Sequence, residues 1–150
     1  KVAVRPLPQI ALGAILLLSL YSLHSYYGTR PLEDWKAAAA HLRDRAKPDD
    51  LIVFHAGFTR DTVYWYYNAT DAEQLAVPPT FRPLKPEDLE QVQQSVKGRK
   101  RVFLIYSHPN DPEERLLRAL NSTMQPREFI GFACIDIFEY APPDSNESQK

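Results

Sequence analysis

Between Pro6 and Thr29 the chain contains no Asp, Glu, Lys or Arg. The densest part of this stretch, inside Gln9 to Tyr27, is Ile10-Ala-Leu-Gly-Ala-Ile-Leu-Leu-Leu-Ser-Leu20. At about 1.5 Å per residue, a helix of this length crosses the roughly 30 Å hydrocarbon core of a bilayer. In lipid a helix satisfies its own backbone polar groups, so a spanning segment is helical. Tyr21, Tyr26 and Tyr27 gather at the far end, where amphipathic rings suit the headgroup zone. A core helix of a soluble protein normally carries polar residues along one side, whereas this run is apolar all round.

Three membrane arrangements fit. One is a cleaved secretory signal with Lys1 and Arg5 as its charged start, but no small-x-small pair precedes a cut. A single N-terminal anchor stays open. The favoured reading is the last transmembrane helix of a longer protein, with Lys1 lying mid-chain. Lys1 and Arg5 then place the preceding side in the cytoplasm and the domain from Leu32 onward outside it. Arg30 and Lys36, just beyond the span, weaken that charge bias.

Residues 1–28 read as the membrane helix and its flanks, 29–141 as one soluble α/β domain, and 142–150 as a disordered polar tail. Net charge is −1 and there is no basic stripe, which argues against nucleic acid as a partner. Cys134 is the single cysteine, which excludes an intrachain disulfide. Its neighbours Ala133 and Ile135 predict a small buried hydrophobe.

After the Gly28-Thr-Arg-Pro31 break, a helix is predicted from Pro31 or Leu32 to Ala46. Leu32, Trp35, Ala39, Leu42 and Ala46 fall on one face. Trp35 is expected to seal this helix onto the sheet rather than to touch lipid. Lys47 to Asp50 is a turn, and Leu51 to Phe54 is a strand buried on both sides. Gly57 turns the chain, and Thr59 is expected to cap a short helix through Tyr67. A brief strand is expected near Leu75 to Val77. The next helix opens at Pro86, buries Leu89, Val92 and Val96, and ends at Gly98. Lys100 to Tyr106 is the second strong strand. Asp111-Pro112 reads as a helix start, with Leu116, Leu117, Leu120 and Met124 inward. Arg127 to Tyr140 reads as one long strand or two, bent at Gly131.

Alternating strands and helices imply a small, mostly parallel three-layer α/β/α domain with a mixed or antiparallel edge strand. The order of membrane helix, short linker, Pro31-Leu-Glu-Asp-Trp-Lys36, Ala run, Pro48-Asp-Asp50 and buried strand resembles a known junction. It looks like the one between the last membrane helix and the C-terminal extracytoplasmic domain of polyprenol-phosphate-sugar-dependent membrane glycosyltransferases. These are similar to dolichyl-phosphate-mannose protein mannosyltransferases and aminoarabinose lipid A transferases. The resemblance implies an accessory domain in an inner or plasma membrane enzyme, with catalytic acids in loops between earlier membrane helices. No catalytic residue carries over, and no cofactor is implied in this stretch; a divalent metal in the parent enzyme stays open. The implied partners are the bilayer, the rest of the same polypeptide and a polyprenyl-phosphate sugar donor. The alternative is a single-span anchored α/β binding or interaction module without enzymatic activity.

The chemistry in the sequence is sparse. No Gly-rich loop cradles phosphate, and no His or Cys pair has metal-ligand spacing. Ser107-His108 does not make a nucleophile–base pair, and Gly-x-Ser-x-Gly is absent. In open α/β sheets ligands bind beyond the carboxyl ends of the strands, here His55 to Asp61 and Ser107 to Asp111. The candidate site residues are therefore His55, Arg60, Asp61, Tyr64, Trp65 and His108. Arg60 could hold a phosphate, and Tyr64 and Trp65 could stack on a sugar ring. The consecutive aromatics Tyr64 to Tyr67 point all round a helix, so some are expected to dock against the membrane part.

Overall fold

The computed structural model describes residues 7–29, 33–66, 71–107 and 111–143. The chain forms two compact units, Lys1–Leu32 and Glu33–Lys150. The first is helix α1 (Leu7–Thr29), whose Pro8–Gly28 stretch is long and apolar enough to cross a membrane. Its large side chains, Leu17 and Leu18 among them, face outward without protein cover.

The second unit follows the order α2 (Trp35–Arg45), β1 (Leu51–His55), α3 (Thr59–Tyr66), β2 (Glu73–Ala76), α4 (Pro86–Ser95), β3 (Val102–Ser107), α5 (Arg115–Asn121), β4 (Gln125–Phe132) and β5 (Ile135–Ala141). Five strands make one mixed sheet in the order β2-β1-β3-β5-β4. β1 runs parallel to β2 and β3, whereas β5 is antiparallel to both β3 and β4. Half the pairings are thus antiparallel, because the chain ends in a hairpin rather than in another crossover. The expected antiparallel edge strand is β4.

Strand alternation sends side chains to two clusters. Ile52, Phe54, Phe103 and Ile105 pack with Trp35, Ala38, Ala39 and Leu42 of α2 and Val63 of α3. Leu51, Val53, Val102 and Leu104 pack with Val92 of α4 and Leu116 and Leu120 of α5. β1 and β3 are buried along their whole lengths, which is why both read as unbroken apolar runs.

α2 starts later than predicted. Asp34 is its cap, its carboxylate accepting from Ala37 N–H at 3.0 Å, and Pro31 and Leu32 lie outside the described residues. Trp35 packs into the core as expected, and its indole N–H donates to Glu33. Thr59 is the first residue of α3, but its hydroxyl donates to Ala56 C=O instead of accepting.

The predicted helix start at Asp111 is displaced to Arg115. Residues 111–114 close a turn, with Glu114 N–H donating to Asp111 C=O, and Glu114 adopts a left-handed conformation at φ 52°. Asp111 still caps the helix, because its carboxylate accepts from Leu116 N–H at 2.9 Å. Two further expectations fail in the hairpin. The ladder irregularity lies between Pro126 and Glu128, while Gly131 pairs in register with Asp136. Cys134 is exposed, because it sits with a left-handed φ of 59° in the turn between β4 and β5 rather than inside a strand.

Candidate functional site

The chain runs from β1 outward to β2 through α3, then back past β1 to β3 through α4. The strand order therefore reverses between β1 and β3, the place where open α/β sheets gather ligands. His55 and Ser107 close these two strands. Val63 of α3 and Val92 of α4 belong to different core clusters.

His55 is 1% exposed, and among the described residues its Nδ1 has no hydrogen-bond partner. Its ring stacks on Tyr106, with centroids 4.9 Å apart. Burial holds the His55 pKa below its ordinary value, and the Asp111 carboxylate opposes that shift more weakly. Burial also pushes Tyr106 up to about 12, with Asp111 and Glu114 adding in the same direction. Asp111 is itself buried, holding Leu116 N–H and the Arg115 Nε–H, while Arg115 also donates to Leu84 C=O. Ser107 Oγ donates to Cys134 C=O at 3.1 Å, which ties the end of β3 to the β4–β5 turn.

The turn after β1 is held by close backbone approach. Gly57 N–H donates to Pro78 C=O at 3.0 Å, and a Cβ at Gly57 would lie 2.4 Å from that oxygen and 2.9 Å from Pro79 C=O. Only glycine fits there, which is the physical content of the turn predicted at this position. Phe58 meets Phe81 of the facing loop, with ring centroids 5.9 Å apart.

α3 buries Thr59 and Val63 and turns its other sides to solvent. Arg60 lies 3.6 Å from the carboxylate of its neighbour Asp61. Arg60, Asp61 and Tyr64 line a recess of about 320 Å³ with Gln74 of β2. Trp65 lies outside this recess and is 84% exposed.

Of the six candidate residues, three come together: Arg60, Asp61 and Tyr64. His55 belongs to the strand-end core instead, and His108 lies outside the described residues, as does Tyr67. Gln74 escaped the sequence reading. Its place follows from the parallel pairing of β2 with β1, which sets Gln74 opposite Ile52, a long-range register that local pattern does not encode. Asp111 was read as a helix start and as the end of the loop after β3, and its influence on His55 and Tyr106 depends on tertiary proximity. Among the described residues no group of three or more His, Cys, Asp or Glu side chains is placed to hold a metal ion.

A second recess, of about 400 Å³, lies at the amino end of β3 between Val96, Lys100, Met124 and Pro142. Compared with protein-family models, curated proteins and solved structures, the chain matches none.

Proposed function

We propose that this chain is the extracytoplasmic accessory domain, with its membrane helix, of a glycosyltransferase that uses a polyprenyl-phosphate sugar donor. The observation that carries this reading is the recess on α3. It is lined by Arg60, Asp61, Tyr64 and Gln74, residues that carry a guanidinium, a carboxylate, a phenol ring and an amide. Arg supplies charge-assisted hydrogen bonds to a phosphate, the ring supplies an apolar platform for a sugar face, and Asp and Gln suit its hydroxyls. The reading takes the fold as a three-layer α/β/α domain, with α2 and α3 over one face of the sheet and α4 and α5 over the other. It places the soluble unit outside the cytoplasm and the chemistry of sugar transfer elsewhere in the polypeptide.

The test is activity in the full polypeptide, read beside domain stability. Arg60→Ala and Tyr64→Ala should lower sugar transfer while the domain's melting temperature stays at the wild-type value. Sugar transfer by purified residues 1–150 alone, above a heat-killed control, would remove the accessory reading. Full activity in a stable Arg60→Ala/Tyr64→Ala double variant would remove the role of the recess.

A further inference from the structure

We infer that the outer side of α3, centred on Trp65 and Tyr66, rests in the headgroup layer of the bilayer spanned by α1. The first ground is the surface itself. Tyr64, Trp65 and Tyr66 are 61%, 84% and 49% exposed on one short helix, and Phe58 and Phe81 add a pair of exposed rings beside its start. Water is a poor solvent for so much exposed ring area on one short helix and its flank. The composition favours lipid headgroups over an oily protein groove, since Trp and Tyr combine an apolar body with a polar tip.

The second ground is the tether. α1 ends at Thr29 and α2 begins at Trp35. Six backbone steps reach on the order of 20 Å when fully extended. Trp35 packs in the same core cluster as Val63 of α3. α3 thus belongs to the same packed layer as the helix that follows the span after this short segment. The headgroup zone is itself roughly 5–8 Å deep on each side, so it lies within reach of a surface tethered this way.

The third ground is charge. Arg60 and Asp61 offset one another on this helix, so the surface has no excess of cations to seek acidic lipid. The contact is driven by the rings, works on zwitterionic lipid and is insensitive to salt. This inference requires only the membrane span and stands apart from the sugar-phosphate reading, because no sugar ligand enters its test.

The chain carries two tryptophans, and Trp35 is buried in the domain core, so Trp65 is a built-in reporter. The full chain is reconstituted in phosphatidylcholine vesicles whose acyl chains carry bromine close to the glycerol end. The expected result is blue-shifted emission and bromine quenching, both unchanged by added salt and both largely lost in Trp65→Phe. A Tyr64→Ser/Tyr66→Ser variant that keeps Trp65 should show weaker quenching at an unchanged melting temperature. Emission from Trp65 at the solvent-exposed wavelength, without bromine quenching, would overturn the inference. So would shielding that rises with protein density and ignores bromine, which would assign the surface to a second copy of the chain.

Discussion

His55 and Tyr106 are cross-strand partners at the carboxyl ends of β1 and β3, their rings stacked with 23° between planes. The stack fills the point where the strand order reverses with two polar-tipped rings instead of aliphatic side chains. Among the described residues the buried His55 Nδ1 has no hydrogen-bond partner. Such a group is tolerated when neutral and costly when charged.

A pH dependence follows. Burial depresses the folded pKa of His55 below its ordinary 6.5, so the unfolded chain binds the extra proton first. Stability from this residue is full above 6.5 and is lost as pH falls through the depressed folded value. His41 is shifted the same way, by burial and then by Arg45. Thermal melts from neutral to acid pH should therefore show a falling melting temperature in the wild type. His55→Phe keeps the stack and removes the titration, so its melting temperature should fall less steeply, with the His41 part and, at lower pH, the part from the Arg82-bonded Asp88 remaining.

Asp50 supplies a second test. Its buried carboxylate accepts from Arg101 at 2.6 Å and from Lys47 N–H at 2.7 Å, and Arg101 also reaches Arg45 C=O. One side chain thus joins the end of α2, the start of β1 and the start of β3. Asp50→Ala strips the nearest carboxylate from a half-buried cation that keeps Glu139 at 3.8 Å, and should cost about 1–3 kcal/mol in denaturant unfolding.

Gly57→Ala puts a Cβ against two backbone oxygens, those of Pro78 and Pro79. The turn after β1 must then part from the loop after β2. The expected loss is about 1–3 kcal/mol, a typical overpacking cost, with weaker Phe58–Phe81 contact. An alanine variant as stable as the wild type would show that the two loops do not pack this closely.

The buried framework was legible because β1 and β3 are continuous apolar runs and α2 and α4 carry helical stripes. What escaped the sequence depends on distance along the chain. The hairpin of β4 and β5 makes half the pairings antiparallel, yet Arg127 to Tyr140 reads equally well as one strand or two. The delayed start of α5 hinges on a left-handed Glu114, a conformation that residue type does not announce. Cys134 looked buried from its neighbours, but a two-residue turn exposes it. Arg60, Asp61 and Tyr64 share a helix and were found together, whereas Gln74 joins them only through strand register.

The exposure of Cys134 makes the native chain its own topology probe. In sealed cells a membrane-impermeant maleimide should label Cys134 without lysis, as an extracytoplasmic domain requires. Cys134→Ser is the control for specificity. Labelling that appears only after the membrane is broken would place the domain in the cytoplasm and remove it from the side where the proposal needs it.

The claim that this domain meets a lipid-linked sugar at α3 is tested most directly by titration. The full chain in nanodiscs is titrated with a short-chain prenyl-phosphate sugar, beside the prenyl phosphate without sugar and the sugar phosphate without prenyl chain. The account predicts saturable binding, strongest for the intact molecule and weakened roughly tenfold or more by Arg60→Ala. Absence of saturable binding by the folded chain, or wild-type affinity in a folded Arg60→Ala/Tyr64→Ala variant, would contradict it.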